Sequence, residues 1–262
     1  MAEGKIVAEK EGYLGRVVFD NPAKHNAVSQ AMWDGLSDAM QAFDADSEVR
    51  VVVLEGAGER AFVSGADISR FESERANADR IRAYGESVNR AYASVQHAET
   101  PTIAKIRGYC FGGGMGIAVC CDLRICSDDS TFCIPAAKRG VGYGHQNTKV
   151  LMDLVGPAFT KEIFYTGRRF DAEEARMMGL VNRVLDRAEL DEFVQDYVET
   201  MSRNAPLSLR ATNLIVNELL KDAADRDIAL CNQLVDDCSE SEDIHEGRIA
   251  FMEKRPPAFK GR

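Results

Sequence analysis

The sequence predicts an α/β fold in which a strand-strand-helix unit occurs at least twice and a run of helices follows. Short apolar runs bounded by glycine, proline or asparagine predict the strands, and apolar residues spaced three to four positions apart predict the helices. We expect residues 1–185 to form an α/β core. We expect residues 186–262 to form a helical region that packs on this core or on a neighbouring subunit.

The predicted elements begin with a hairpin over residues 5–19, with its turn near Gly12. Ser29 can act as the N-cap of the first helix. Asp171 and Glu174 have the spacing of a capping box, which predicts the start of a later helix. The other predicted strands are 51–54, 61–63, 102–106, 123–126, 131–134 and 181–184; the other helices are one ending before Pro101 and segments near 115–121, 149–154 and 157–165, with a loop at 135–146.

Composition and charge exclude several classes of protein. Apolar residues make up 45% of the 262 residues, which is enough for a full core. The net charge of −10, with no basic run outside Lys254 and Arg255, argues against a nucleic-acid partner, because phosphate binding needs clustered cations. No apolar run approaches the ~18 residues of a membrane span, and the first residues lack a signal-peptide core. We therefore expect a cytoplasmic protein with no membrane partner.

The seven cysteines form neither a C-x-x-C pair nor a spaced set with histidine. Their number is odd, and this pattern predicts reduced, mostly buried thiols. We expect no disulfide framework, no metal site and no bound cofactor.

Residues 108–117 contain the most distinctive local pattern of the chain. Gly112, Gly113 and Gly114 follow a predicted strand and precede an apolar helix. Glycines allow positive φ and close approach of a ligand, and they leave unpaired N–H groups at the positive end of the helix. The run matches neither a dinucleotide fingerprint nor a P-loop. Spacing alone leaves two interpretations open, an anion or oxyanion site and a tightly packed turn.

Two segments together resemble a known family. Residues 61–68 (AFVSGADI) and 108–116 (GYCFGGGMG) are similar to the two oxyanion-hole segments of the crotonase, or enoyl-CoA hydratase/isomerase, superfamily. Residues 21–27, 121–124 and 246–259 extend the resemblance over nearly the whole chain. It implies a crotonase-type spiral of ββα repeats with a C-terminal helical trimerisation region, assembled as a homotrimer or a dimer of trimers. It also implies an acyl-CoA thioester as substrate, with coenzyme A entering only as part of that substrate.

The resemblance assigns roles to individual positions. The N–H groups of Ala66 and Gly113 are expected to hold the thioester oxygen while it carries enolate charge, with Gly65 giving backbone freedom. Lys24 and His25 match positions that contact the CoA phosphates and ribose, and Ser64 and Ile68 match positions beside the adenine. Phe251 and Lys254 match tail residues that reach the CoA or acyl site of a neighbouring subunit. The remaining positions expected to contact substrate are Asp67, Gly112, Gly114, Gly116 and Ala136.

The chain departs from the family at the two glutamates that hydratases use. One carboxylate can act as a base while the other acts as an acid, but the matching positions here are Gly116 and Ala136. Asp67 is expected to cap a helix instead. Glu72 and Glu74 could reach the site from the following helix, but a solvated helix face is the favoured interpretation. Efficient hydration of a simple enoyl-CoA is therefore not predicted, although the family as a whole carries a hydratase label.

Tyr143 matches a tyrosine at the active site of the family's methylmalonyl-CoA decarboxylase. Decarboxylation needs no general base, because the departing CO2 leaves its electron pair behind. Tyr143 can orient the carboxylate and His145 can protonate Cα, since histidine as a residue type can exchange a proton near neutral pH. The alternatives are a packed aromatic for Tyr143 and a surface histidine for His145.

Three functions follow from these observations. The first is an enoyl-CoA hydratase/isomerase-family enzyme that stabilises a thioester enolate. The second is a decarboxylase or another glutamate-independent enolate enzyme. The third is a non-catalytic CoA-binding relative, against which the retained glycines 112–114 argue.

Overall fold

The computed structural model describes residues 3–262, apart from the side chain of Ser73. Two sheets form its centre. The larger has the strand order β1 (Lys5–Glu11), β2 (Leu14–Asp20), β3 (Val51–Gly56), β5 (Thr102–Ile106), β7 (Leu123–Ser127) and β10 (Arg183–Leu185). The smaller has the order β4 (Ala61–Val63), β6 (Tyr109–Phe111), β8 (Thr131–Cys133) and β9 (Phe170–Asp171).

Strand direction follows from the connections. β1 and β2 form the predicted hairpin and are antiparallel, whereas β2, β3, β5, β7 and β10 run parallel. In the smaller sheet only β8 and β9 are antiparallel. Parallel neighbours need a crossover connection, and helices supply these crossovers. The first helices are α1 (Gln30–Asp44), α2 (Phe71–Glu74), α3 (Ala78–Gln96), α4 (Gly113–Cys120), α5 (His145–Thr166) and α6 (Ala172–Met177).

The hairpin and α1 form one strand-strand-helix unit, and three ββα repeats follow it. β3, β4 and α3 form the first repeat, β5, β6 and α4 the second, and β7, β8 and α5 the third. In each repeat the first strand joins the larger sheet and the second joins the smaller. The predicted crotonase-type α/β spiral is therefore confirmed. Its side chains pack into one large apolar cluster that includes Trp33, Phe62, Met115 and Phe132.

Local signals placed several helix starts correctly. The Ser29 side chain accepts a hydrogen bond from the Met32 N–H at the start of α1. The Asp171 capping box is present, with the Glu174 N–H donating to Asp171 Oδ1 at 2.8 Å and the Asp171 N–H donating to Glu174 Oε2 at 3.1 Å.

Other boundaries were wrong. Residues 109–111 form the strand β6 inside the glycine-rich segment, and α4 already begins at Gly113. The predicted loop 135–146 contains a 3-10 turn at Ala137–Arg139 and gives way to α5 at His145. By contrast, the two helices predicted on either side of Pro157 are confirmed, because α5 consists of two helical segments that meet at the non-helical Gly156. Pro157 cannot continue the hydrogen-bond ladder, and Gly156 at φ 74° redirects the chain.

The C-terminal region is helical, with α7 (Leu190–Arg203), α8 (Pro206–Leu219), α9 (Ile228–Glu240) and α10 (Glu242–Glu253). It packs on the core through Arg50, which donates to the carbonyls of Ser202 and Phe259 at 2.9 and 2.8 Å. All seven cysteines carry free thiols, and five are buried, as predicted. Within residues 3–262, no helix combines the length and apolar character that a bilayer span requires.

Arg124 holds the end of α4, the helix that begins at Gly113. The side chain is 4% exposed, and its guanidinium donates to the carbonyl oxygens of Leu180, Ala118, Cys121 and Asp122. The last carbonyls of a helix have no intrahelical donor, and a cation there also interacts favourably with the helix dipole. Arg124 thus fixes one end of the helix whose other end faces the candidate site.

We expect Arg124→Met to lower the free energy of unfolding by about 3 kcal/mol, because it leaves several buried carbonyl oxygens without donors. Urea titration followed by circular dichroism measures this. Arg203→Met removes a solvent-exposed arginine and should change stability by less than about 0.5 kcal/mol. Equal, small effects of the two substitutions would contradict the assigned role of Arg124.

Candidate active site

The segment after β4 presents a backbone N–H group without a protein partner. Gly65 adopts φ 109°, a conformation that favours glycine. The Val28 N–H donates to the Gly65 carbonyl at 2.8 Å, and the Asp67 N–H donates to the Val28 carbonyl at 2.9 Å. Both neighbours of Ala66 are therefore tied to Val28. The Ala66 N–H has no acceptor in the part of the chain that the structure describes.

The start of α4 presents a second such group. Gly113 is the first helical residue, and its N–H finds no acceptor among residues 3–262, whereas the Gly112 N–H donates to the Cys133 carbonyl at 2.7 Å. The two segments are in contact, since a Cβ on Gly65 would lie 3.8 Å from the Gly113 nitrogen. A Cβ on Gly114 would lie 2.7 Å from Cβ of Val63, so glycine is required for this approach. Neighbouring free N–H donors can stabilise an oxyanion.

Residues predicted to contact coenzyme A lie beside the first segment. The Ser64 N–H donates to the His25 carbonyl at 3.1 Å, and Ser64 Oγ donates to the Lys24 carbonyl at 3.2 Å. Lys24 Nζ lies 2.7 Å from Asp67 Oδ2. Ile68 projects outward and is 53% exposed. The structure brings these five residues together at the surface.

Asp67 has the capping role that was predicted. Its Oδ1 accepts a hydrogen bond from the Ser69 N–H at 3.1 Å and so caps the 3-10 turn Ile68–Arg70. Burial acts to raise the pKa of Asp67, but hydrogen bonds from Lys24 and Ser69 outweigh it, and the pKa lies below its ordinary value. The carboxylate is therefore ionised at neutral pH and fixes the Lys24 ammonium.

An aromatic row that the sequence did not reveal borders this surface. His25 contacts Tyr109 edge-on with ring centroids 5.6 Å apart, and Tyr109 stacks on Phe111 at 5.0 Å. The Arg169 guanidinium lies over both rings at 5.5 and 5.2 Å. The row depends on β6, which sequence patterns missed, and Nδ1 of His25 is buried with no partner in the described chain.

Tyr92 fills the space beside Gly116, the position that the resemblance matches to the first hydratase glutamate. A Cβ on Gly116 would lie 2.6 Å from Cζ of Tyr92. Tyr92 is 5% exposed, its hydroxyl donates to the Gly113 carbonyl at 3.2 Å, and its ring contacts Trp33 with centroids 5.5 Å apart. Burial raises the pKa of Tyr92 well above its ordinary value. A neutral phenol thus occupies the space into which a side chain at position 116 would extend.

Trp33 and Tyr84 complete the wall behind Gly113. The Trp33 ring edge lies 3.1 Å from where a Gly113 Cβ would stand, and Trp33 Nε1 donates to the Tyr84 hydroxyl at 3.0 Å. Burial raises the pKa of Tyr84, and the hydrogen bond from Trp33 offsets part of this rise. The side chains of Trp33 and Tyr84 are therefore aromatic and neutral.

Ala136 also belongs to the large apolar cluster that contains Trp33 and Tyr92, and Tyr143 packs against this cluster. Ala136 is 8% exposed, and its carbonyl accepts hydrogen bonds from the N–H groups of Arg139 and Val141, both at 3.0 Å. Tyr143 packs edge-on against Phe164 with centroids 5.0 Å apart. Burial raises the pKa of Tyr143 to about 12, and its hydroxyl has no hydrogen-bond partner within residues 3–262. It is a packed aromatic that retains a free, neutral donor.

Of the two glutamates predicted on a solvated helix face, only one lies there. Glu72 is exposed, as expected, but Glu74 is not on a solvated face. Its Oε1 accepts a hydrogen bond from the Gln30 N–H at 3.0 Å, and its Oε2 is buried without a partner in the described chain. α2 spans only four residues and turns this side chain toward α1.

Within one subunit, His145, Phe251 and Lys254 do not contact the other candidate site residues. His145 is exposed at the start of α5, and its side chain forms no hydrogen bond or ion pair with the other described residues. Phe251 is 84% exposed near the end of α10, and Lys254 follows that helix in the left-handed conformation. Their predicted contact with a neighbouring subunit stays a prediction.

A spiral of ββα repeats, with its two glycine turns in contact and a helical C-terminal region, defines a crotonase-type protein. The model of the enoyl-CoA hydratase/isomerase family matches residues 9–262, and the chain belongs to this family. It is 32% identical to the short-chain-enoyl-CoA hydratase of Clostridium acetobutylicum over the full length of both chains.

Two further relatives cover nearly the whole chain. The carnitinyl-CoA dehydratase of Escherichia coli O157:H7 is 31% identical, with 97% of each chain covered. The crystal structure of an enoyl-CoA hydratase/isomerase family protein from Hyphomonas neptunium superimposes with a TM-score of 0.93 at 32% identity, covering 98% of both chains. The chain is therefore similar to acyl-CoA enzymes along its entire length.

We expect Gly116→Ala to lower the free energy of unfolding by about 1–3 kcal/mol, because the added methyl group collides with the Tyr92 ring. In a Tyr92→Leu background the same substitution should cost almost nothing. Urea denaturation of the two single variants and the double variant measures this coupling.

Gly85→Ala is the matched control, because a Cβ at Gly85, within α3, meets no atom within 4 Å. It should stabilise the protein by about 0.5–1 kcal/mol through helix propensity. If Gly116→Ala were as harmless as Gly85→Ala with Tyr92 intact, Tyr92 would not fill the glutamate space.

Proposed function

We propose that the protein is an acyl-CoA enzyme that stabilises a thioester enolate through the N–H groups of Ala66 and Gly113. The observation that carries this proposal is that both N–H groups lack an acceptor in the described chain, although they lie on two segments in contact. Membership of the enoyl-CoA hydratase/isomerase family supports the thioester as substrate.

The energetic contribution of such a pair of donors is large. Breaking a bond at Cα places negative charge on the thioester oxygen, and fixed donors stabilise that charge more than the neutral carbonyl. One oxyanion donor contributes about 3–4 kcal/mol to transition-state stabilisation. Two such donors would lower the barrier to enolate formation, which is the step that the candidate reactions share.

The wall around these donors favours a reaction that needs no carboxylate pair. Gly116 and Ala136 carry no titratable group, and Tyr92 fills the space beside Gly116. Simple hydration needs an activated water and a proton donor at Cα, and neither position supplies one. The hydratase names of the relatives therefore indicate the substrate class of this chain better than its reaction.

Decarboxylation is the second candidate, favoured by Tyr143. In this reaction the bond between Cα and the carboxylate breaks, its electron pair enters the thioester as an enolate, and CO2 leaves. A proton then reaches Cα from an acid. Because its pKa is raised to about 12, Tyr143 keeps its proton at neutral pH and can donate a hydrogen bond to the carboxylate. His145, which is exposed, is the proposed acid.

Binding of coenzyme A is assigned to the surface beside the first segment. Lys24 and His25 would meet the phosphates and ribose, and Ser64 and Ile68 the adenine. We also propose a homotrimer or dimer of trimers in the cytoplasm, in which Phe251 and Lys254 reach a neighbouring site. The 84% exposure of Phe251 and the 76% exposure of the adjacent Met252 support a covered position in the assembly.

Replacing Gly113 by proline removes the proposed donor while keeping a residue that the first helical position tolerates. We expect turnover to fall about 100- to 1,000-fold relative to Gly113→Ala. Gly113→Ala adds a Cβ beside Trp33 but retains the N–H, so it controls for crowding.

The same variants permit a test that does not depend on turnover. The carbonyl stretch of bound butyryl-CoA labelled with ¹³C at C1 should shift to lower frequency in the wild type and in Gly113→Ala. Isotope-edited infrared spectroscopy measures this shift. An unchanged shift in Gly113→Pro would contradict the role of the Gly113 N–H.

We expect the wild type to hydrate crotonyl-CoA very slowly and to convert a malonyl-type thioester to the shorter acyl-CoA and CO2. Tyr143→Phe should slow the second reaction about 10- to 100-fold, because the carboxylate loses a hydrogen bond from the phenol. Loss of the enoyl-thioester absorbance and release of CO2 are the two measurements.

Tyr165→Phe is the matched control, since Tyr165 lies on α5 and is 76% exposed. Rapid hydration of crotonyl-CoA by the wild type would show that another residue, such as Glu74, acts as base. Tight binding of many thioesters with no turnover would instead favour the non-catalytic CoA-binding relative.

A further inference from the structure

We infer that the acyl group of the substrate carries a carboxylate that pairs with Arg75. This inference rests on the proposed acyl-CoA function and names the chemical class of the acyl group. Its basis is the position of one guanidinium at the aromatic wall behind Gly113 and the absence of a counter-ion for it within residues 3–262.

Arg75 follows α2, the short helix that the first glycine segment leads into. Its guanidinium carbon lies 3.8 Å from the centroid of Phe71 and 4.3 Å from the centroid of Tyr84. Tyr84 is hydrogen-bonded to Trp33, whose ring edge lies against Gly113. Arg75 is therefore two side chains away from the residue that supplies a proposed oxyanion donor.

No carboxylate neutralises this cation in the described chain. No Asp or Glu oxygen lies within 4.0 Å of the Arg75 guanidinium, and Nε of Arg75 is buried with no hydrogen-bond partner. Glu74 is adjacent in sequence, but its Oε1 accepts the Gln30 N–H at the start of α1. The neighbouring carboxylate is held by a different helix.

A half-buried arginine without a counter-ion is unfavourable, since a charge removed from water needs pairing or hydrogen bonds. Contacts with two aromatic rings recover part of the lost hydration. One polar contact is also present, a hydrogen bond between the guanidinium and the Tyr84 hydroxyl, but Nε of Arg75 has no acceptor in the described chain and no carboxylate balances the charge. A carboxylate matches that fork with two parallel hydrogen bonds, which no uncharged group can do equally well.

The surrounding wall strengthens the argument. Phe71 and Tyr84, the two rings next to Arg75, are neutral, and burial raises the pKa of Tyr84. An anionic acyl group beside Tyr84 would therefore meet the Arg75 cation at a low-dielectric surface, in which an ion pair is stronger than in water, while the nearby Glu74 carboxylate is held by the Gln30 N–H. A purely aliphatic acyl chain would leave the guanidinium without a counter-ion.

The test compares matched pairs of thioesters by isothermal titration calorimetry. Succinyl-CoA is measured against butyryl-CoA, and glutaryl-CoA against valeryl-CoA, so that each pair has the same chain length with and without the carboxylate. We expect the wild type to bind at least one carboxylated member about 10- to 100-fold more tightly than its uncharged partner.

The variants separate recognition from folding. Arg75→Met keeps a similar apolar volume and should abolish or reverse the preference, while affinity for butyryl-CoA is maintained. Arg75→Lys should retain part of the preference, because it keeps the charge but not the fork. Arg82→Met removes an exposed arginine from the next helix and should leave the preference unchanged.

The ratio within each pair is insensitive to a general loss of stability. If the wild type binds acyl-CoA but shows no preference in either pair, or if Arg75→Met keeps the preference, the inference is wrong and the acyl-CoA proposal stands. If no thioester binds at all, the proposed function fails, and the inference fails with it.

Discussion

The close approach of two backbone segments is the constraint on which the rest of the structure depends. Gly114 leaves room for Val63, and Gly65 lies against the start of α4, so two free N–H groups come to neighbouring positions. This contact requires β4 and β6 to be adjacent in the smaller sheet. The ββα repeat provides that adjacency, because each repeat sends its second strand to the same sheet. The fold thereby determines where an anion can be stabilised.

The polar groups on the two sides of this contact differ in charge. On the outer side, the partly exposed Lys24 is paired with the buried Asp67, at the place where we propose that the phosphates of coenzyme A bind. On the inner side, Tyr92 and Tyr143 are neutral phenols in an apolar wall, and Arg75 supplies the positive charge. The two sides of one thioester would thus meet different environments. The division separates binding of the carrier from selection of the acyl group.

The sequence predicted the parts of this arrangement that local patterns encode. The strands, the Ser29 and Asp171 caps and the glycine segments follow from neighbouring residues, and the resemblance to the family supplied the donors. The strand at 109–111 was missed, because three residues inside a glycine-rich run acquire strand character only from their partners in the sheet. Tyr84 and Tyr92 lie on the apolar stripe of α3, and spacing alone does not show which cavity such a stripe faces. Arg75 was missed because no sequence pattern shows that its guanidinium packs over the rings of Phe71 and Tyr84.

The exclusion of a side chain at position 116 by Tyr92 has a consequence for the history of the family. A chain that gained a glutamate there first would have to displace a buried ring, and a chain that lost the ring first would open an empty cavity beside a working site. Each intermediate is less stable than either end point. Packing therefore disfavours either single substitution, and the glutamate at position 116 is expected to be gained only together with a change of Tyr92.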